Sequence, residues 1–463
     1  MRRTPRDPAR LRWTDLTDGS ATARIGQAVH ITGWLGGPDL TGARALVAEP
    51  PCCPGCLPGA SDARLRVPAA RHLPGGAVRL DGILRKTAGT WVLAEARAAN
   101  GSIGGWGIAG WGMGGRGIGR RAVLAAPPLL CLAAAAPPSD PRQAIAGTVT
   151  VDAHSHTGKL LHVRTQSPFT PVAEPMRQGG LAVVCLAIVS DAPTHRVMAD
   201  HRIHPFRDPA PGELYAYAQR AFARLHALAS DQALPIITDK ATLLAARADT
   251  PSAIVAAEGA DFLEGNPDRV DEAYARWRLR HLQLTHYRVN ELGDIQTEQP
   301  VHGGLTDLGA EVIRRCNRLG IVVDVAHGTL DLVRRAAAVT TKPLVLSHTS
   351  LTTRPSPFTR MITPEHARLV ASTGGMIGIW PVAALFPDMA AMAGGIARMA
   401  AVVGVDHVGL GTDSMGLVGP ATFDSYAQLP DLAAALLAAG FSAEDTRKIM
   451  GGNYVRVFAA SMA

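Results

Sequence analysis

Seven residues able to bind a metal ion or move a proton close short apolar runs in the C-terminal two thirds of the chain. They are His154 and His156 in VTVDAHSH, Glu258 in AIVAAEG, His286 in HLQLTH, His327 in IVVDVAH, His348 in PLVLSH and Asp413 in HVGLGTD. Imidazole nitrogen and carboxylate oxygen are donors suited to zinc, whose catalytic sites keep one position open for water. Along a strand, Asp152, His154 and His156 share one face, so two imidazoles one residue apart can chelate a single ion. An isolated H-x-H is more often a pair of ordinary polar residues; its recurrence with Glu258, His327 and His348 at equivalent positions gives it weight. Four histidines and a glutamate exceed what one catalytic ion needs. They suit two ions bridged by Glu258, with His154 and His156 on one and His327 and His348 on the other. Two such ions can share a hydroxide and polarise a carbonyl, which is how two-metal sites hydrolyse amides near neutral pH. Manganese, iron and cobalt stay open beside zinc on ligand type alone.

Two further runs, LAVVCLAIVS and GGMIGIW, have the same shape but end at Ser190 and Trp380. Helical patterns separate the runs, among them GELYAYAQRAFARLHALAS and GLTDLGAEVIRRCNRLG. In the second, Leu308, Val312, Ile313 and Cys316 recur at helical spacing, Thr306 and Asp307 mark a start and Gly320 a stop. Eight apolar runs alternating with helices predict an α/β fold, a (β/α)8 TIM-type barrel of the metal-dependent hydrolase kind, over residues 148–463. Such barrels keep their chemistry at the C-terminal ends of the strands, where the seven residues fall.

The remainder bounds the setting. The 463 residues carry a formal net charge of +7, but the arginines are interspersed with acids. The basic start MRRTPRDPARLR reads as a solvated terminus, and no nucleic-acid partner is expected. Cys185 and Cys316 fall in apolar patterns and read as core thiols, while PCCPGC reads as a structural turn without the partners of a closed zinc site. Residues 1–100 hold five strand patterns (AVHITGWL, ARALVAEP, ARLRVPA, AVRLDGIL and TWVLAEAR), predicting a small all-β, OB-like domain poor in base-stacking aromatics. Residues 101–147 form a linker zone: a Gly/Trp-rich stretch, then RRAVLAAPPLLCLAAAAPPSD. Its paired arginines and short apolar segment have the layout of a twin-arginine export signal, placed internally, and an Ala/Pro-rich linker is the competing reading. The first reading implies an exported, periplasmic or membrane-associated protein held through residues 121–136, the second a cytoplasmic one. The apolar stretch falls short of the ~20 residues a membrane span needs.

Residues from about 148 to 460 resemble the membrane (renal) dipeptidases, the M19 peptidase family within the amidohydrolase-like barrels. The segments that carry the resemblance are VDAHSH, AAEGAD, LRHLQLTH, GLTDLGAEVIRRCNRLGIVVDVAH, PLVLSHTS, DHVGLGTD and GGNYVRVF. The resemblance implies a zinc-dependent dipeptidase with two zinc ions per chain, Glu258 bridging them and the histidines paired as above. It further implies that His286 steadies the oxyanion of the tetrahedral intermediate and contacts substrate. Asp413 would relay a proton between the bridging hydroxide and the leaving amine, and Arg360 would hold the carboxylate of a small dipeptide, with Arg354 nearby as the other choice. Each has an ordinary rival: His286 as a strand cap, Asp413 as a helix N-cap. The chain departs from the family at three places: H-x-H replaces H-x-D, Asp413-Ser414-Met415 replaces D-F-D, and Tyr287 replaces Asn. These departures leave open another amide, a lactone or an acyl-amino acid as substrate, or a barrel that binds without turnover. A homo-oligomer is also left open.

Overall fold

The computed structural model describes residues 141–352 and 358–462 throughout and, before them, the backbone of six strands. The chain divides into two compact units, Met1–Pro137 and Pro138–Ala463. In the first unit each of the five expected segments carries a strand: Ala28–Pro38, Arg44–Val47, Arg64–Val67, Gly76–Thr87 and Thr90–Ala98. Their pairings run in a circuit that returns from Gly76–Thr87 to Ala28–Pro38, and the pair Arg64–Val67 with Thr90–Ala98 is parallel. PCCPGC, the Gly/Trp-rich stretch and residues 121–136 lie outside the described residues. Among the described residues no helix is long and apolar enough to cross a membrane.

The second unit is built on eight strands: β1 (Val151–Ser155), β2 (Val183–Val189), β3 (Ser252–Glu258), β4 (Leu279–Gln283), β5 (Val322–Asp324), β6 (Leu344–Thr349), β7 (Met376–Ile379) and β8 (Val408–Leu410). They pair in sequence order and all in parallel. A parallel bridge between Ser155 and Ser414 joins the loop after β8 back to β1, so the barrel closes there. Every residue of these strands is buried, as expected where helices cover the outside and side chains fill the inside. The expected helices are α1 (Glu213–Asp231) and α2 (Asp307–Leu319), to which α3 (Pro364–Ser372) and the C-terminal α4 (Asn453–Ser461) are added. Thr306 caps α2 by accepting the Gly309 N–H, and Gly320 ends it in the left-handed conformation that glycine adopts without strain. Cys185 and Cys316 are buried free thiols.

The end of the barrel away from the chemistry is filled with apolar side chains, including Val151, Val183, Ile254, Val322 and Met376, plugged by Tyr454 and Phe458 of α4. Each large apolar side chain buried there contributes about 1.5–3 kcal/mol. Two buried carboxylates lace the layer above. Asp324 accepts the N–H groups of Ala326 (2.9 Å) and Ser347 (3.1 Å), tying β5 to β6. Asp152 accepts from the Thr412 N–H (2.8 Å) and the Tyr426 hydroxyl (2.7 Å), tying β1 to the loop after β8. Both therefore pack within the barrel instead of reaching the centre above.

Candidate metal centre

The strands that carry histidines leave regular pairing where those histidines sit. Asp152 pairs with Val184 but Ser155 with Leu186, so β1 holds one extra residue across Ala153 and His154. Leu346 pairs with Ile377 but Thr349 with Ile379, so β6 holds one extra residue across Ser347 and His348. Such bulges re-aim side chains beside active sites. The simple alternation expected for Asp152, His154 and His156 is broken at this point. Asp152 goes to the β8 loop, while both histidines turn to the barrel axis.

There they meet Glu258, the last residue of β3. The Nε2 atoms of His154 and His156 lie 3.2 Å apart, and those of His327 and His348 lie 3.1 Å apart. Glu258 stands between the pairs. Its Oε1 is 3.5, 3.3 and 3.4 Å from the Nε2 of His154, His327 and His348, and its Oε2 is 3.0 Å from that of His156. Two donors at about 2.0–2.1 Å from a tetrahedral zinc are separated by about 3.3 Å. The spacing of these nitrogens and oxygens therefore fits zinc-sized ions, and all five residues are buried. Nitrogen–carboxylate donor sets of this kind fit zinc and other divalent transition ions of similar preference.

Hydrogen bonds on the Nδ1 atoms of His154, His156 and His348 leave their Nε2 atoms facing the centre. His156 Nδ1 lies 2.7 Å from the Ala187 carbonyl, so it must donate. The Ser347 hydroxyl is 3.3 Å from His154 Nδ1 and 2.9 Å from His348 Nδ1, and its oxygen can accept from both. Partners of this kind fix ring orientation and tautomer at metal sites. Burial, followed by the Arg360 charge at His327 and by His154 at His348, holds both imidazoles well below the usual histidine range. They are thus neutral at ordinary pH, as ligands must be. Burial also works against protonation of His156, but Asp413 and Glu258 beside it prevail and push it up to about 10. Burial would raise Glu258, yet His286 and His154 hold it well below the usual carboxylate range. The site thus draws positive charge to His156, which a metal ion would satisfy.

The other expected residues ring this centre. His286 lies just beyond β4, with Nε2 3.3 Å from Glu258 Oε2. Asp413 lies just beyond β8, with Oδ1 3.4 Å from His156 Nε2. No helix begins at Asp413; the next helical turn, Tyr426–Gln428, is capped by Ser425, so the N-cap alternative does not hold. Arg360, between β6 and α3, donates to Gln296 Oε1 at 2.8 Å, and its Nε is buried without a hydrogen-bond partner. No carboxylate forms an ion pair with it among the described residues, and Arg354 lies outside them. Its guanidinium is 5.5 Å from the Trp380 ring centre and donates to the His348 carbonyl at 3.4 Å. The centre opens into a cleft of about 120 Å³, which shares Tyr287, Arg360, Trp380 and Asp413 with a wider cleft of about 410 Å³.

One residue at the site escaped the sequence reading. Asp191, fully buried just after β2, accepts from His286 Nδ1 at 2.7 Å. His195 Nδ1 is 3.2 Å from the same Asp191 oxygen. The signal was present, since LAVVCLAIVS runs directly into Asp191 at the position where other runs carry their polar residue.

Comparison with known proteins follows the same line. Dipeptidase aclJ of Aspergillus oryzae (strain ATCC 42149 / RIB 40) is 31% identical over 215 residues, 44% of this chain and 50% of that protein. The chain spans about half the length of the curated relatives it matches. Among solved structures, the probable dipeptidase PvdM from Pseudomonas aeruginosa superposes with a TM-score of 0.58 at 17% identity, covering 70% of this chain and 97% of that one. A metallopeptidase from Rhodobacter sphaeroides, liganded with a phosphinate mimic of the dipeptide L-Ala-D-Ala, gives 0.57 at 20% identity, covering 68% and 99%. These likenesses establish the barrel fold. The profile of the membrane dipeptidases (peptidase family M19) matches residues 155–462, about two thirds of the sequence, and the chain belongs to that family.

Proposed function

We propose that the barrel is a metal-dependent dipeptidase that holds two divalent ions, zinc by donor type, and hydrolyses the amide bond of small dipeptides. His154 and His156 would hold one ion, His327 and His348 the other, and Glu258 would bridge them. The observation that carries this reading is Glu258, whose carboxylate lies within 3.0–3.5 Å of the Nε2 atoms of both histidine pairs. When bound, such an ion pair supplies a shared hydroxide near neutral pH and polarises the scissile carbonyl.

The chain's own residues supply the rest. Arg360 presents a guanidinium that lacks a carboxylate partner among the described residues, and its fork suits the free carboxylate of a dipeptide. With Nδ1 held by Asp191, His286 turns Nε2 to the centre, where a donor would stabilise charge developing on the carbonyl oxygen. Asp413 stands where it can take a proton from the attacking water and return it to the leaving amine. Zinc-loaded protein should hold close to two ions per chain and cleave members of a dipeptide panel that includes D-residues at the C-terminal position. That choice follows the ligand of the Rhodobacter sphaeroides relative. Fewer than about one ion per chain in excess zinc would exclude the two-ion mechanism. Turnover of lactones or acyl-amino acids without any dipeptide would exclude the substrate assignment.

A further inference from the structure

We infer that the wide cleft beside the centre is a subsite for an anionic side chain, and that the dipeptides this barrel prefers end in Asp or Glu. The inference rests on the dipeptidase reading above and names the substrate class within it. The cleft of about 410 Å³ is lined by His201, Arg202 and Arg360, and Asp413 is its one carboxylate among the described residues. Asp413 belongs to the metal side, with Oδ1 3.4 Å from His156 Nε2. The outer part of the cleft therefore carries an excess of positive charge, which concentrates anions there. With Arg360 assigned to the terminal carboxylate, Arg202 is a second guanidinium for a second anion. Both stand at one stretch of chain, since the Arg202 guanidinium donates to the Phe358 carbonyl, just before Arg360.

The place of Arg202 is built into the fold. It lies at the turn of an antiparallel hairpin, His195–Val197 with Ile203–Pro205, which follows β2 and brings Arg202 and Ile203 to the cleft. His204 holds that hairpin in position. Its Nε2 lies 2.9 Å from Asp200 Oδ2 and its Nδ1 2.6 Å from Glu298 Oε1, which ties the turn to the loop after β4. The other Asp200 oxygen accepts the Arg202 N–H at 3.1 Å, so the acid of the same turn is committed to backbone and to His204. No carboxylate forms an ion pair with Arg202 among the described residues. Beside Glu298, Thr297 lines the same cleft; it is 5% exposed, and its hydroxyl lacks a hydrogen-bond partner among the described residues. A buried donor left unpaired is costly unless a ligand takes it up. A carboxylate is the acceptor that suits both groups, the planar fork of Arg202 and the O–H of Thr297. Trp380 and Val382 offer the methylenes of the same side chain an apolar wall. A neutral amide of the same shape would fill the cleft but leave the charge of Arg202 unmatched.

The test compares kcat/KM of the zinc-loaded full chain on matched dipeptides that share an N-terminal alanine and end in Glu or Gln, in both configurations. In the faster configuration the wild type should prefer Glu about 5–10-fold, between the worth of an exposed ion pair and that of a buried charged hydrogen bond. The preference should lie mainly in KM and shrink in high salt. Arg202→Met should bring the two substrates level. Arg202→Glu should reverse the preference and favour a C-terminal Lys over Glu, an outcome that misfolding cannot produce. A wild type that cleaves Glu and Gln substrates equally overturns the inference, as does a preference for Glu that survives Arg202→Met. If no dipeptide is cleaved, the dipeptidase reading fails, and calorimetric binding of the same Glu and Gln pair still decides the subsite: equal affinities overturn it.

Discussion

Arg360 carries a positive charge into the rim of the centre without an ion-pair partner among the described residues, and burial pulls its guanidinium below the usual arginine value. A substrate carboxylate supplies the missing partner. Arg360→Ala should therefore raise KM about 10–100-fold, the worth of a charged hydrogen bond, while leaving two zinc ions in place. Steady-state kinetics on a dipeptide and its C-terminal amide checks this: the amide should gain little from the wild-type arginine, and equal losses for both would refute the assignment. His286 depends on Asp191 in a different way. The bond from Nδ1 to Asp191 sets which nitrogen faces the centre, so Asp191→Asn should lower kcat about 10–100-fold with KM nearly unchanged. An unchanged kcat would show that the contact only packs. The two cases mark what residue types can reveal. His286 was legible because it ends an apolar run, whereas Asp191 is 95 residues away in sequence and becomes its partner only when β2 and β4 are brought to one mouth.

At the scale of elements, the eight strands and the α2 caps could be read from apolar runs and end signals, because burial on both faces and helix capping act locally. The bulges in β1 and β6 could not, since an extra residue in a ladder leaves the composition of a strand unchanged. Nor could the left-handed backbone of His327 (φ +67°) and Asp413, which depends on what closes over them. Gly416 is the signature of that closure. Gly416→Ala would drive a methyl group into Asp413 and His156, and should cut kcat/KM at least about 10-fold while the far-ultraviolet circular dichroism stays that of the wild type. Full activity would mean that the loop has room the geometry denies. α3 supplies a pH-dependent prediction away from the metals. His366 is buried, and burial, with Arg360 and Arg334 adding to it and Gly328 and Glu365 opposing, lowers it to about 4. Its folded value is depressed, so the stability it permits is present above pH 6.5 and is lost as pH falls through 4. The loss is about 3 kcal/mol. Denaturant titrations at pH 7 and pH 4.5 should show a smaller acid loss for His366→Gln than for the wild type, and equal losses would remove His366 from the acid response.

Across the barrel as a whole, the order of runs in the sequence is the order of neighbours, because each crossover returns the chain to a strand parallel and adjacent to the last. That is why the fold could be anticipated and the donors named while the distances within the centre could not: the barrel gathers residues at the ends of β1, β3, β5 and β6, and no local pattern sets the spacing between them. The gathering has an energetic cost. Without ions, two pairs of imidazole nitrogens face each other at 3.1–3.2 Å in a buried site, with His327 Nδ1 lacking a hydrogen-bond partner as well. Ions that bind only the folded barrel repay that cost by mass action, about 2.7 kcal/mol for each site at free zinc 100-fold above its dissociation constant. Removing metal with a chelator should therefore lower the melting temperature of the Pro138–Ala463 unit by at least several degrees, and added zinc should restore it. Among the described residues, every donor of the centre lies in the Pro138–Ala463 unit, so the zinc-dependent transition should be that unit's. His156→Ala should reduce the zinc-dependent part of the shift, because one ion loses a ligand, whereas a surface substitution such as Arg314→Ala should not. Calorimetry across a zinc titration reads all three, and a melting temperature indifferent to zinc would mean that the histidines and Glu258 are packed together for some purpose other than metal.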